Sequence, residues 1–296
     1  MLLISKAGAA AATGAPPVTE EGVVEGEEKQ KAKAATLWQS QLVLSKVVEM
    51  INMAMIIHRE ICNIDSAAIT QTAEGSALHL SNKVSVLYGD FLWAKAWKDL
   101  ADLHQIEVTD MMVSVLVNTT QGQFVSEQEL VEVTSKLNLE YWLEKNFLLS
   151  ACLPAFGCKS VLKLAAADEG LQTAAYQFGQ NLGYFLKAHQ EINWYLNPRA
   201  NSRDYLDFCA LPVVMHSVET GEPLEHLALT GGEQQGPKLP KYDYSALHQL
   251  VRSGPGLVKS KTVLEMFRAN AFTNLNHFPD SAARDSLKKL LSAINI

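Results

Sequence analysis

The sequence predicts an all-α fold in a single domain. Three observations carry this reading. Leu37 to Asn63 runs without an internal Gly or Pro, apolar residues recur at helical spacing, and no stretch sustains period-2 alternation. Leu37 to Asn63 carries Leu44, Val47, Val48, Ile51, Met55 and Ile61. Around Met50 to Ile57 its apolar residues fall on every face, the pattern of a buried central helix. Asn82 to Asn118 reads as one or two helices. Ser126-Glu127-Gln128-Glu129 fits a capping box opening another. Ser150 to Ala167, Asp168 to Leu196 and Leu257 to His277 follow, and the last helix starts at Pro279-Asp280 with Asp280 as its N-cap. Residues 7 to 35 are low in complexity and read as a solvated linker. The expected layout is therefore a partial first helix and linker over 1–36 and a helical domain over 37–296. Residues 219 to 241, rich in Gly, Pro and Gln, read as a loop.

Composition sets limits on function. The chain has 296 residues and is 48% hydrophobic, enough to bury a sizeable core and too much for a disordered chain. With 25 Lys+Arg against 32 Asp+Glu, the net charge of -7 argues against a nucleic-acid binder, whose affinity rests on concentrated cations. Cys62, Cys152, Cys158 and Cys209 are too scattered for a disulfide framework or a zinc site and read as reduced structural thiols. The longest uncharged apolar run, Met50 to Ile57, falls well short of the ~20 residues of a spanning helix, so no transmembrane segment is expected. Met1 to Ala12 has no basic lead and runs on towards the acidic stretch Glu20 to Glu28, so no targeting signal is visible.

GxSxG, Walker A, HExxH and GxGxxG patterns are all absent, and no histidine pair has convincing ligand spacing. Two segments carry more information. The first runs Glu49-Met50-Ile51-Asn52-Met53-Ala54-Met55-Ile56-Ile57-His58-Arg59-Glu60-Ile61-Cys62-Asn63, and Asn82 to Ala96, with Gly89-Asp90-Phe91-Leu92, comes after it. The second runs from Phe178-Gly179 through Gly183 to Gln190-Glu191-Ile192-Asn193-Trp194. Tyr141 to Leu153 and the terminal Phe278-Pro279-Asp280-Ser281-Ala282-Ala283-Arg284 add two more. In this order and spacing the segments resemble the trans-prenyl diphosphate synthase family. Its patterns are H-D-D-x-x-D followed by G-D-x-L-x-x-x-A, a lysine-bearing K-T-A segment, G-x-x-x-G-x-x-F-Q-L-x-D-D-x-x-D, and L-P-x-S-x-x-R. The resemblance covers about residue 37 to the end and implies an isoprenoid-synthase-like helical bundle around a central cavity.

The chemistry of such an enzyme sets a clear requirement. Ionising an allylic diphosphate takes magnesium, which wants hard oxygen ligands from carboxylates and phosphate. Aspartates at i, i+1 and i+4 put two carboxylates on one helical face, and two facing helices supply two clusters. Here the first triple is Arg59, Glu60 and Asn63, and the second is Gln190, Glu191 and Trp194. Arg59 sets a fixed positive charge where a divalent ion belongs, and Trp194 fills its space. Leu149 stands in for the lysine of the K-T-A segment, and Gln123 for the acid of G-E-x-x-Q. The chain is therefore expected to hold no cofactor and to have no catalytic or metal-binding residues. Glu60 and Glu191 read as remnants of the clusters.

Within the family, the His58-Arg59-Glu60 replacement resembles the non-catalytic subunit of heteromeric long-chain (decaprenyl-type) polyprenyl diphosphate synthases. That resemblance implies a catalytic subunit 1 as partner, in a heterotetramer or heterodimer, with Mg²⁺ in the partner. It also implies a mitochondrial place in making the ubiquinone side chain. Leu87, Phe91, Met111, Met112, Val115 and Leu116 are the candidate interface residues, although sequence alone does not separate interface from core. A divergent active prenyltransferase using Glu60 and Glu191, or a stand-alone isoprenoid-binding protein, are the alternatives.

Overall fold

A computed structural model describes residues 2–9, 23–61, 72–132, 137–197, 209–221, 228–229, 241–242 and 244–295. Its helices are α1 (Leu2–Ala9), α2 (Val23–Arg59), α3 (Ala73–Asp102), α4 (Ile106–Glu132), α5 (Leu139–Asn146), α6 (Cys152–Leu164), α7 (Glu169–Leu196), α8 (Leu211–Thr220), α9 (Tyr244–Ser253), α10 (Gly256–Leu275) and α11 (Ala282–Ala293). A π-helical segment, Phe147–Ala151, joins α5 to α6. The fold is all-α. Among the described residues the only ladder is a two-residue antiparallel pair, Ala228–Leu229 (β1) with Lys241–Tyr242 (β2).

The bundle is organised around α7, which packs on α6 along one side and on α10 along the other. The α6–α7 seam is close because both glycines of the Gly179/Gly183 pair face α6. A Cβ at Gly179 would overlap the Pro154 carbonyl, and one at Gly183 would sit 2.6 Å from the Cα of Ala151. Phe178, Phe185, Ile192 and Tyr195 fill the other faces of α7 and are fully buried. Asp168 caps the helix by accepting from the Leu171 N–H at 2.9 Å. On the far side of α6, the Gln41 side chain of α2 donates to the Val161 carbonyl at 3.1 Å, and α1 lays Ile4 and Ala7 into the same core.

Several expectations need correction. The central helix is α7, not the helix through Leu37 to Asn63. Met53 and Ile56 of α2 are 41% and 43% exposed, so only the face bearing Leu44, Val47, Ile51 and Ala54 enters the core. An apolar residue on every face marks a helix that has more than one thing to cover, and the core of this chain takes only one face. Helix α2 begins at Val23 and runs through the expected boundary at 36/37. The cluster read as linker, Glu25 to Lys33, is rich in Glu, Lys, Gln and Ala, all strong helix formers. No helix opens at Ser126, because α4 continues through it to Glu132. At the other end, Ser281 and not Asp280 caps α11, accepting from the Arg284 N–H at 3.2 Å, while Asp280 pairs with the Arg284 guanidinium. Two helical stretches, Ala34–Arg59 and Leu139–Leu164, reach a mean hydropathy of 1.4 and are long enough to span a bilayer by length and composition alone. Mean hydropathy tolerates the few charges that broke the uncharged runs, and the second stretch is half buried inside the bundle.

Two turns reverse the chain through residues with positive φ, His104 between α3 and α4 and Ala166 between α6 and α7, each at 51°. A side chain there costs about 1–2 kcal/mol relative to glycine. Ala166→Gly should therefore raise the midpoint of thermal unfolding. Gly179→Ala, which forces a methyl into the Pro154 backbone, should lower stability by at least about 1–3 kcal/mol in denaturant titration.

Candidate functional site

Helix α2 reaches the first cluster at its last turn. The His58 imidazole lies directly on Gly89 of α3, in space that any Cβ there would take. Its Nε2 sits 3.4 Å from the Asp90 carboxylate and 3.4 Å from the Val86 carbonyl oxygen. The Gly89-Asp90 pair therefore serves to seat a histidine from the neighbouring helix, and it fixes α2 against α3 at this level.

Beside His58, Arg59 borders a cavity of about 240 Å³. Its walls are Met55, His58 and Arg59 from α2, Trp93 from α3, and Leu116, Thr119, Thr120 and Gln123 from α4. These walls carry a guanidinium and no carboxylate. Crowding by the walls lowers the arginine pKa and the nearby Glu60 charge raises it, although solvent still reaches the guanidinium. Arginine stays charged through any such shift. Glu60 is exposed, and Asn63 lies outside the described residues.

Leu149 falls in the π-helical segment, where the chain passes close to α4. A Cβ on Gly122 would lie 2.9 Å from the Leu149 side chain and 2.9 Å from that of Leu148. The position that the resemblance gives to a diphosphate-binding lysine thus packs its apolar side chain on Gly122, the neighbour of Gln123.

The second cluster has a different character. Gln190 is exposed, Trp194 is half-buried, and Glu191 is 1% exposed. One carboxylate oxygen of Glu191, Oε2, accepts from the Trp142 indole N–H at 2.9 Å and from the Leu211 backbone N–H at 2.8 Å. The other, Oε1, is 3.1 Å from the Lys187 ammonium, placed for a charge contact rather than a directed hydrogen bond. Lys187 in turn lies over the Trp194 ring at 5.2 Å. Leu211 opens α8, whose N-cap position, Ala210, has no side chain able to cap. Glu191 supplies from α7 both the acceptor and the negative charge that the start of α8 lacks. Trp142, held from below, packs against Phe267 of α10 and Tyr184 of α7 with ring centroids 5.9 Å away in each case.

These residues do not suit magnesium. Glu191 has both oxygens engaged and an ammonium alongside, and the first cluster presents a guanidinium to its cavity. Gln190, Glu191 and Trp194 contribute nothing to that cavity's walls. Among the described residues no three His, Cys, Asp or Glu side chains gather as a metal would require. Sequence reasoning missed Trp142 and Leu211, 49 and 20 residues from Glu191, because nothing local links them to it. Lys187 was readable, since i, i+4 spacing from Glu191 places the two on one helical face.

The interface candidates divide clearly. Met112 and Val115 are fully buried, Met111 packs on Ser160 with its sulfur 3.6 Å from the hydroxyl, and Leu116 lines the cavity. These four serve the chain's own interior, because α4 turns that face towards α6. Leu87 and Phe91 are each 60% exposed and share one face of α3 with Leu80 and Val84.

The two positions thus sit in one all-helical bundle, with a cation at the first and a structurally committed carboxylate at the second. The chain belongs to the polyprenyl synthetase family, whose model matches residues 27–193. It is 25% identical over 262 residues to the human all trans-polyprenyl-diphosphate synthase PDSS2, covering 87% of this chain. It spans 64% of that relative's length. It is 27% identical over 170 residues to decaprenyl-diphosphate synthase subunit 1 of Schizosaccharomyces pombe, covering 56% of this chain and 44% of that one. A crystal structure of a decaprenyl diphosphate synthase from Rhodobacter capsulatus superposes with a TM-score of 0.68 at 17% identity, over 98% of this chain and 82% of that one, which establishes the shared fold.

Glu191→Ala leaves two buried donors and an ammonium without their partner and should cost about 3–5 kcal/mol in equilibrium unfolding. Glu60→Ala, at an exposed position, should stay within about 0.5 kcal/mol of the parent. Equal effects of the two would show that the Glu191 network is not what holds α8.

Proposed function

We propose that the chain is a non-catalytic subunit of a heteromeric long-chain polyprenyl diphosphate synthase. In this reading it pairs with a catalytic subunit that carries intact aspartate clusters and the magnesium. The observation that carries it is the use made of Glu191. The best-preserved acid of the second cluster is spent on holding Trp142 and the start of α8, and its other oxygen faces the Lys187 ammonium, where a metal ion would be repelled. Arg59 gives the first cluster the opposite sign of charge. The exposed apolar face of α3, built from Leu80, Val84, Leu87, Tyr88 and Phe91, supports a partner-binding role, since a contiguous apolar stripe of this kind is normally covered. Placement in mitochondria and a role in ubiquinone side-chain synthesis rest on the family resemblance and belong to the same proposal.

The purified chain should show no magnesium-dependent condensation of an allylic diphosphate with isopentenyl diphosphate. Loss of several charge-stabilising contacts at ~2.7–4 kcal/mol each removes many decades of rate. Restoring aspartate at Arg59, Glu60 and Asn63 should not revive it, because Leu149, Gln190 and Trp194 remain. Coexpressed with a catalytic subunit, the chain should copurify with it. Leu87→Glu and Phe91→Glu should weaken that assembly while leaving the melting temperature of this chain unchanged. Charges at Met111 or Val115 would disrupt the interior first and so do not test the surface. In the complex, Glu60→Ala should leave turnover intact, and removing the partner's aspartates should abolish it. Turnover by the isolated chain that disappears in Glu60→Ala would instead establish a divergent prenyltransferase.

A further inference from the structure

We draw no further inference here: the strongest candidate, the surface hollow at the start of α7 walled by Asp168, Glu169, Thr173, Gln177 and His277, is a helix N-terminus with two acids beside it, and among the described residues no second feature points to a ligand there.

Discussion

One buried carboxylate ties together the half of the bundle around α7. Glu191 meets an indole from α5, a backbone donor from α8 and an ammonium from its own helix, all within 3.1 Å. A carboxylate taken out of water is costly unless its lone pairs are engaged and its charge is balanced. Here Oε2 is engaged by two donors that themselves need a partner, and the charge is balanced by Lys187 beside Oε1. Trp142 has its ring inside an aromatic cluster with Tyr184 and Phe267 and only its N–H left to satisfy. Helix α8 begins at Ala-Leu-Pro, a sequence with no cap of its own. The acid on α7 thus completes α5, starts α8, and through Trp142 reaches α10.

The two positions that the resemblance marks as clusters sit in opposite surroundings. One has been drawn into the interior and neutralised there. The other remains open to solvent, with the charge sign inverted and an apolar pocket behind it. Leu149 packs closely on Gly122 of α4 at the position where the resemblance places a lysine. Alongside the Glu191 contacts, the scaffold is held by the glycine-spaced contact of α6 with α7 and by buried apolar side chains from nearly every helix.

Much of this was legible in the sequence. Helical period, the absence of alternation and the order of the segments gave the fold class, and the order of the segments gave the family. What was not legible was direction. Periodicity shows that Leu87, Phe91, Met112 and Val115 are apolar on helices, but only the packing of α4 on α6 puts Met112 and Val115 inside, while α3, packed on α2, leaves Leu87 and Phe91 out. Helices α8 and α9 went unread because α8 takes its cap from a distant residue and both flank a Gly- and Pro-rich stretch. The burial of Glu191 was hidden for the same reason: its partners are supplied by tertiary structure, at sequence distances where no local rule applies.

The length of the glutamate has a consequence of its own. Its Oε2 sits at hydrogen-bond distance from both Trp142 and Leu211, and aspartate is one methylene shorter, so its carboxylate would be drawn back by about 1.5 Å. Each donor left behind would cost about 1–3 kcal/mol. Aspartate at this position would therefore leave a destabilised chain, so that the glutamate and its two donors form one unit in which none can be exchanged alone.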